Sequence, residues 1–210
     1  MKKILVIGGS GYIGKNLGLT IPNKYLLKTY FKNTNDNSIF FDLSISRLDD
    51  INIDYERFSH VIIAAGMVRF NEILERPEEA RNINVNCTKR LIEDIVEKGL
   101  IPVFISSESV FDGNKGNYNE KDEPNPIHEY GRHKYSIEKF IKNITNNYLI
   151  IRLSKVYDSL IDGNTLIIDW LTKIDKNEDI VCANDHVFTP IHLDDVIVYI
   201  EKLIKINAFG

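Results

Sequence analysis

Short runs of β-branched and other apolar residues alternate along this chain with longer segments in which apolar residues recur every three or four positions. Runs of the first kind are typical of buried strands, and segments of the second kind are typical of helices that pack on a sheet. The runs predict strands at Lys3–Ile7, Tyr25–Phe31, Ser38–Asp42, His60–Ala64, Pro102–Ser106, Tyr148–Val156 and Asp179–Ala183. The segments predict helices at Tyr12–Thr20, Glu78–Lys98, Tyr130–Asn143, Leu166–Lys173 and Asp194–Ile206. Because strands and helices alternate, we expect an α/β fold with a doubly wound parallel sheet.

The composition is that of an ordinary globular protein and excludes a disordered, collagen-like or coiled-coil chain. The chain has 210 residues, of which 43% are hydrophobic and 27% charged, and this length fits one domain. Its 30 acidic residues outnumber its 26 basic ones, so we expect no nucleic-acid partner, which would require a basic surface. A small-molecule partner stays open.

Apolar run lengths and cysteine usage indicate the compartment. No apolar run approaches the roughly 18 residues of a membrane span, and Ile4–Ile7 is shorter than a signal-peptide core of roughly 7 to 15 residues. We therefore expect a cytoplasmic protein without a membrane segment. Cys87 and Cys182 lie in apolar segments without a second cysteine or histidine at metal-ligand spacing, so we expect two reduced core thiols and no metal site.

A glycine-rich loop follows the first predicted strand and precedes the first predicted helix. Such glycines allow a tight turn, let the backbone approach a pyrophosphate and bring the helix close to the strand, while the helix N-terminus offers N–H groups. A turn with purely structural glycines is the alternative, but the position of the loop favours dinucleotide binding. The candidate cofactor-binding residues of the loop are Gly8, Ser10, Gly11, Tyr12, Ile13 and Gly14.

The end of the second predicted strand bears on the choice between NAD(H) and NADP(H). A loop that prefers NAD is usually followed, roughly 20 residues on, by an acidic residue that binds the ribose 2′-hydroxyl. Here the strand ends in Thr29–Asn33, which contains no carboxylate and one lysine, Lys32. A 2′-phosphate would be tolerated, so the sequence favours NADP(H) over NAD(H), although Lys32 is also readily explained as a solvated loop lysine.

A tyrosine and a lysine four residues apart begin the third predicted helix. Tyr130 and Lys134 would share one face of that helix, so the ammonium group would favour the phenolate and lower the pKa of the tyrosine below its usual value of about 10. Ser107 directly follows the fifth predicted strand, and ligands of doubly wound sheets bind outside such strand ends. Ser107, Tyr130 and Lys134 are therefore the candidate catalytic residues.

The order of these motifs resembles the extended short-chain dehydrogenase/reductase superfamily, and the resemblance covers nearly the whole chain. The superfamily's other motifs follow in the same order, namely Asp42 and Leu43, then Ala64, Ala65 and Gly66, then Asn84. The resemblance implies a Rossmann-like sheet that binds NAD(P)(H), with these motif residues near the cofactor. It places Asp42 and Leu43 near the adenine and Ala64–Gly66 along the middle of the cofactor.

The resemblance also implies roles for the catalytic candidates. Ser107 would hydrogen-bond the reacting carbonyl or alcohol, Tyr130 would be the general acid/base, and Lys134 would bind the nicotinamide ribose and tune the tyrosine. Within the superfamily, the segments 104–113, 118–124 and 130–134 are most similar to the dTDP-4-dehydrorhamnose reductase branch. That branch implies reduction of a keto group of a nucleotide sugar.

Candidate substrate residues and alternative functions complete the functional expectation. Arg69, Glu108 and Arg152 are the candidate substrate-binding residues, and Arg69 is equally well explained as a solvated loop arginine. An epimerase of the same superfamily is one alternative, but Phe188 stands where epimerases tend to carry an arginine, which favours a reductase. A non-catalytic NADP(H)-binding regulatory subunit is the other alternative, against which the intact Ser107, Tyr130 and Lys134 set argues.

The resemblance carries expectations about the domain and its assembly. Relatives are usually longer and continue after the helix Asp194–Ile206, so we expect a single domain over residues 1–210 in which residues from about 158 onward form a reduced substrate-binding lobe. The superfamily often dimerises through two helices that correspond here to Glu78–Lys98 and Tyr130–Asn143, so a homodimer is expected.

Several other conspicuous residues have structural explanations. We expect His128 and His133 at the surface or in a substrate loop, Trp170 in the core or a subunit interface, and an aspartate cap from Asp194 or Asp195 before the last helix. The Gly- and Asn-containing segment Asp112–Pro126 is expected to be a connecting or lid loop.

Overall fold

The computed structural model describes residues 2–34, 37–158, 165–182 and 187–210. Six parallel strands form the main sheet: β1 (Lys3–Ile7), β2 (Leu26–Tyr30), β3 (Ser38–Phe40), β4 (Phe58–Ile63), β5 (Ile101–Ser107) and β6 (Leu149–Leu153). Their order across the sheet is β3-β2-β1-β4-β5-β6, so the direction of winding reverses between β1 and β4. This order confirms the predicted Rossmann-like doubly wound fold. Ligands of such sheets bind at the reversal, outside the carboxyl ends of the strands.

Among the described residues, five α-helices lie between these strands along the chain and two follow β6. They are α1 (Tyr12–Asn16), α2 (Phe70–Glu75), α3 (Pro77–Arg81), α4 (Thr88–Glu97), α5 (Glu129–Ile144), α6 (Leu166–Asp175) and α7 (Leu193–Lys205). A π-helical segment, Asn82–Cys87, joins α3 to α4. The predicted helix over 78–98 is thus one continuous helical stretch with a wider turn in its middle. The short helix α2 was not predicted, because its six residues are too few for a periodic pattern.

Both faces of the sheet are covered, which explains the near-continuous apolar runs of its strands. Successive residues of β1 point to opposite faces, so Leu5 joins the core under α4 and α5 while Val6 joins the core under α1 and α7. Ile92 of α4 and Ile197 of α7 are each fully buried in these two cores. Helices on both sides therefore fix the sheet and, with it, the positions of the strand ends.

Two strand predictions were wrong in detail. The predicted run 148–156 is interrupted: β6 ends at Leu153, and a separate strand β7 (Val156–Tyr157) pairs in parallel with β8 (Ile191–His192). Residues 179–182 form no strand, and Ala183 lies outside the described residues. The predicted run there is short and followed by Asn and Asp, so alternation of apolar residues alone did not distinguish it from a loop.

The structure also tests four expectations about side chains. Cys87 is a buried thiol as expected, whereas Cys182 is exposed and not part of the core. His133 is buried, with 3% of its surface exposed, instead of lying at the surface. Trp170 of α6 is half-buried. The cap of α7 comes from His192, whose Nδ1 accepts a hydrogen bond from the Asp194 amide at 3.3 Å, because the side chain of His192 precedes the first turn.

No helix within the described ranges is both long and apolar enough to cross a membrane.

Candidate active site

The glycine-rich loop Gly8–Gly14, called the phosphate loop below after its predicted role, makes a close contact with the end of a neighbouring strand. Gly8 has φ +87°, a left-handed conformation that favours glycine, and its N–H donates to Thr29 Oγ1 at 3.1 Å. A Cβ at Gly8 would lie 2.6 Å from the backbone nitrogen of Ala65, which follows β4. The loop therefore lies directly against the segment after β4. The first N–H groups of α1 have no partners within the helix, and they are the groups that the sequence predicts would bind a pyrophosphate.

Asn84 in the π-helical segment holds the chain that follows β4. Its Oδ1 accepts from the Met67 N–H and its Nδ2 donates to the Met67 carbonyl, both at 2.8 Å. The Asn84 side chain is buried, and the backbone of Met67 satisfies both polar ends of its amide. Asn84 thus fixes the segment that contains Ala64, Ala65 and Gly66.

The predicted adenine-side residues lie at the ends of β2 and β3, apart from the residues that line the cavity described below. Asp42 Oδ1 accepts from the Ser44 N–H at 2.9 Å and from the Ser44 hydroxyl at 2.7 Å, and Leu43 is buried. Lys32 is exposed, and its Nζ lies 5.6 Å from the ring centroid of Phe31.

A cavity of about 310 Å³ brings the catalytic candidates to the phosphate loop. Its wall contains Ser107, Tyr130 and Lys134 together with Ile13, Ala64 and Ala65. These residues come from the carboxyl ends of β4 and β5, from the first turn of α1 and from α5. The cavity therefore lies at the reversal of the sheet, where this fold binds its ligands.

The N-terminus of α5 is seated against the turn after β5. A Cβ on Gly131 would overlap the backbone carbonyl oxygen of Ser109 and come within 2.9 Å of Pro126 Cβ. Within the turn, Ser107 Oγ accepts from the Ser109 N–H at 3.2 Å and donates to Ser109 Oγ at 3.2 Å. The absence of a side chain at Gly131 thus lets the first turn of α5, which carries Tyr130, approach the turn that carries Ser107.

The electrostatics of Tyr130 differ from the expectation. Burial raises the pKa of Tyr130 to about 12, whereas the nearby lysine was expected to lower it. Lys134 Nζ donates to the Ile105 carbonyl at 2.7 Å and lies 5.6 Å from the Tyr130 ring centroid. Burial also lowers the pKa of Lys134 to about 8. The two groups share a helix face as predicted, but desolvation outweighs their mutual attraction.

Residues 1–208 match the family described as RmlD substrate binding domain. The chain belongs to this family. It is 31% identical over 106 residues to methionine adenosyltransferase 2 subunit beta of Bos taurus, a match that covers 50% of this chain and 32% of that protein. The matched region thus spans about a third of the length of that relative. The resemblance found in the sequence is confirmed.

Solved structures with the same fold include reductases. A hypothetical dTDP-4-dehydrorhamnose reductase from Sulfolobus tokodaii has a TM-score of 0.88 and 27% identity, with 99% of this chain and 74% of that chain covered. The dTDP-4-dehydrorhamnose reductase of Bacillus anthracis, solved in complex with NADP, has a TM-score of 0.81 and 23% identity, with 100% and 72% covered.

The three predicted substrate residues of this RmlD substrate binding domain have different surroundings. Glu108 lines the cavity. Arg69 is exposed and its Nη1 lies 3.3 Å from Glu72 Oε1. Arg152 does not line the cavity. Its side chain is held by Glu138: Nε donates to Oε1 at 3.0 Å and Nη2 donates to Oε2 at 2.7 Å.

Several residues that line the cavity were not found from the sequence, among them Val68, Phe70 and Lys155. Val68 and Phe70 follow β4, and Lys155 follows β6. The ring of Phe70 lies 6.0 Å from that of Tyr130 and 5.5 Å from that of His128. Their position shortly after a parallel strand was the available signal, since doubly wound sheets bind ligands outside those strand ends.

Proposed function

We propose that this chain is an NADP(H)-dependent oxidoreductase that reduces a keto group of a nucleotide sugar. One observation supports this most directly: Ser107, Tyr130 and Lys134 line the same cavity as Ile13 of the phosphate loop and Ala65 after β4. A cofactor on the loop and a carbonyl beside the tyrosine would thus meet in one cavity. Membership of the RmlD substrate binding domain family and the fold shared with dTDP-4-dehydrorhamnose reductases support the substrate class.

The protonation state of Tyr130 suits a reduction. A phenol with a pKa of about 12 is protonated at neutral pH and can donate its proton to a carbonyl oxygen that becomes an alcohol. NADPH, when bound, would supply the hydride. The hydroxyl of Ser107, fixed by the backbone and side chain of Ser109, would orient the carbonyl oxygen toward Tyr130. Lys134 would hold the ribose of the cofactor.

The second strand supports NADP(H) as the cofactor. In the described residues at the end of β2, Phe31 and Lys32 are exposed and no carboxylate follows Tyr30 directly. A 2′-phosphate would therefore meet an ammonium group and no repelling acid. Residues from about 158 onward would contribute to the substrate side, next to Lys155 and Val156 of the cavity wall.

The test is the oxidation of NADPH by the purified chain in the presence of dTDP-4-dehydro-6-deoxyhexoses. Tyr130→Phe should lower kcat at least about 100-fold, because general acid catalysis contributes about that much or more. Tyr135→Phe is the matched control, since it removes the same hydroxyl from the same helix, where that hydroxyl donates to Glu123 at 3.0 Å. Equal activity of the wild-type and Tyr130→Phe chains would overturn the proposed mechanism.

A regulatory, non-catalytic role is the second candidate. The relative named methionine adenosyltransferase 2 subunit beta, 31% identical over 106 residues, is the observation that favours it. This role expects saturable NADPH binding in calorimetry but no oxidation with any 4-keto nucleotide sugar. Consumption of NADPH that depends on Tyr130 would exclude it.

A further inference from the structure

Glu138 is a fully buried carboxylate that joins three elements next to the candidate active site. Its Oε1 accepts from Ser106 Oγ at 2.6 Å and from Arg152 Nε at 3.0 Å, and its Oε2 accepts from Arg152 Nη2 at 2.7 Å. Ser106 belongs to β5, Arg152 to β6 and Glu138 to α5. Hydrogen bonds from a guanidinium and a hydroxyl compensate this carboxylate for the hydration that it loses in the interior.

Lys134 lies one helical turn before Glu138 on α5 and therefore on the same face. It is nearly fully buried, and the hydrogen bond from its Nζ goes to the neutral carbonyl of Ile105. The aromatic rings nearby are those of Phe104, at 4.6 Å, and Tyr130, at 5.6 Å. A buried ammonium group loses its hydration, which favours the neutral amine unless a negative charge compensates for it.

We propose that Glu138 is a positioning residue of the candidate active site, whose carboxylate keeps the buried Lys134 charged while Arg152 and Ser106 hold that carboxylate in place. The proposal assigns a partner to Lys134 that contacts neither the cavity nor the reacting atoms. It rests on the proposed function only where it concerns turnover, because the charge of Lys134 is measurable in the chain alone.

The other ionisable groups around Lys134, including Glu108 in the wall of the same cavity, do not supply this charge. On α5, Tyr130 is protonated at neutral pH, and His133 faces Glu129, with 3.3 Å between Nε2 and Oε1. Arg152 from β6 is a cation. The pKa of Lys134 is lowered by burial, and among the described residues Glu138 is the charge that acts against this lowering.

Aromatic contacts also connect the ion pair of Glu138 and Arg152 to the loop 112–126. The Arg152 guanidinium lies 5.0 Å from the ring centroid of Phe111, which stacks on Tyr118 at 4.4 Å. Arg152 is thus fixed on one side by Glu138 and on the other by an aromatic pair. These contacts hold the carboxylate of Glu138 in place, one helical turn after Lys134 on α5.

The experiment measures the titration of Lys134 by NMR in the cofactor-free chain labelled with ¹³C at lysine Cε, with Lys134→Met to assign the signal. In Glu138→Gln, the pKa of Lys134 should fall by about one unit or more, the size expected for the loss of a nearby opposite charge. Glu129→Gln is the matched control, because Glu129 is an exposed carboxylate on the same helix, and it should leave the titration of Lys134 unchanged. Glu138→Asp should restore most of the shift.

A paired variant guards against misfolding, since Glu138→Gln leaves Arg152 as an unpaired, largely buried cation. Glu138→Gln combined with Arg152→Gln removes both charges, and it should still lower the pKa of Lys134, by a smaller amount. An unchanged Lys134 titration in a folded Glu138 variant overturns the proposal.

Turnover separates this proposal from the proposed function. If both hold, the pH at which kcat/KM for NADPH oxidation declines on the alkaline side moves down in Glu138→Gln by the same amount as the NMR titration. If the NMR shift occurs in a chain without reductase activity, the role of Glu138 stands and the proposed function fails. If Glu138→Gln keeps normal turnover and an unchanged Lys134 titration, the proposed function stands and the role of Glu138 fails.

Discussion

Gly131 and Ser109 are in direct backbone contact: a Cβ on Gly131 would overlap the carbonyl oxygen of Ser109. The contact fixes the distance between α5 and the turn after β5. Tyr130 and Ser107 lie on either side of it, so their separation depends on a missing side chain.

Replacement of Gly131 by alanine should destabilise the fold although alanine favours helices. The helical gain is about 1 kcal/mol, whereas the overlap with a backbone oxygen cannot be relieved without moving α5, and overpacking costs about 1–3 kcal/mol. Chemical denaturation should show a net loss of stability for Gly131→Ala, together with lower NADPH oxidation. Gly18→Ala is the control, because its Cβ would meet only the ends of two flexible side chains, Asn23 Oδ1 at 2.9 Å and Lys28 Nζ at 3.5 Å. A Gly131→Ala chain as stable as wild type would contradict the contact.

Asn84 should be essential for the segment after β4. Asn84→Ala leaves the Met67 N–H and carbonyl without these partners, and an unsatisfied buried polar group costs about 1–3 kcal/mol. We expect a lower unfolding midpoint and weaker NADPH binding, measured by denaturation and by calorimetry. Asn86→Ala, in the same π-helical segment but exposed, should change neither. Equal effects of the two variants would show that the bonds to Met67 are unimportant.

The phenol of Tyr130 should ionise only in strong alkali. Its pKa of about 12 lies above the usual value of about 10, so the stabilisation linked to its proton is present below about pH 10 and is lost as the pH rises through about 12. Stopped-flow absorbance after an alkaline pH jump reads phenolate before the chain unfolds. Subtracting the Tyr130→Phe trace should isolate one group titrating near 12. A group titrating below about 10 would instead support the sequence-based expectation.

The carboxylate of Asp112 should order the loop 112–126. It accepts from the Tyr118 hydroxyl at 2.5 Å, from Asn125 Nδ2 at 2.9 Å and from the Asn114 N–H at 3.0 Å, and these bonds lower its pKa to about 2. Because the folded pKa is depressed, the ordering is present above about pH 4 and is lost as the pH falls through about 2. Asp112→Ala should speed hydrogen exchange at the Asn114 amide at neutral pH. Glu120→Ala in the same loop should leave that exchange slow.

The sequence predicted the parts of this molecule that depend on local pattern. The apolar run of β1 and the glycines after it set both the strand and the loop, because buried parallel strands and tight turns restrict residue types strongly. The i, i+4 spacing placed Tyr130 and Lys134 on one helix face for the same kind of reason. These features require no knowledge of which distant residues come into contact.

Tertiary contacts decided the rest. The partner of Arg152 is 14 residues away on another element, so the sequence offered a free arginine where the structure has an ion pair with Glu138. The pKa of Tyr130 depends on how deeply α5 is buried, which helical spacing does not reveal. Likewise, His133 is a polar residue that the sequence placed at the surface, yet it is buried between two packed helical segments. Its Nδ1 lies 3.5 Å from Asn84 Nδ2.

The π-helical segment Asn82–Cys87 gives the helical stretch one residue more than an α-helix of the same length would hold. Each residue rotates a helix by about 100°, so the extra residue sets the angular phase between α3 and α4. A deletion of one residue in this segment would restore regular geometry and yet turn either Asn84 away from Met67 or the apolar face of α4 away from the sheet. A regular α-helix here would thus have the wrong rotation for one of its two ends. The extra residue of the π-helical segment lets the same helical stretch bind Met67 through Asn84 and pack the apolar face of α4 on the sheet.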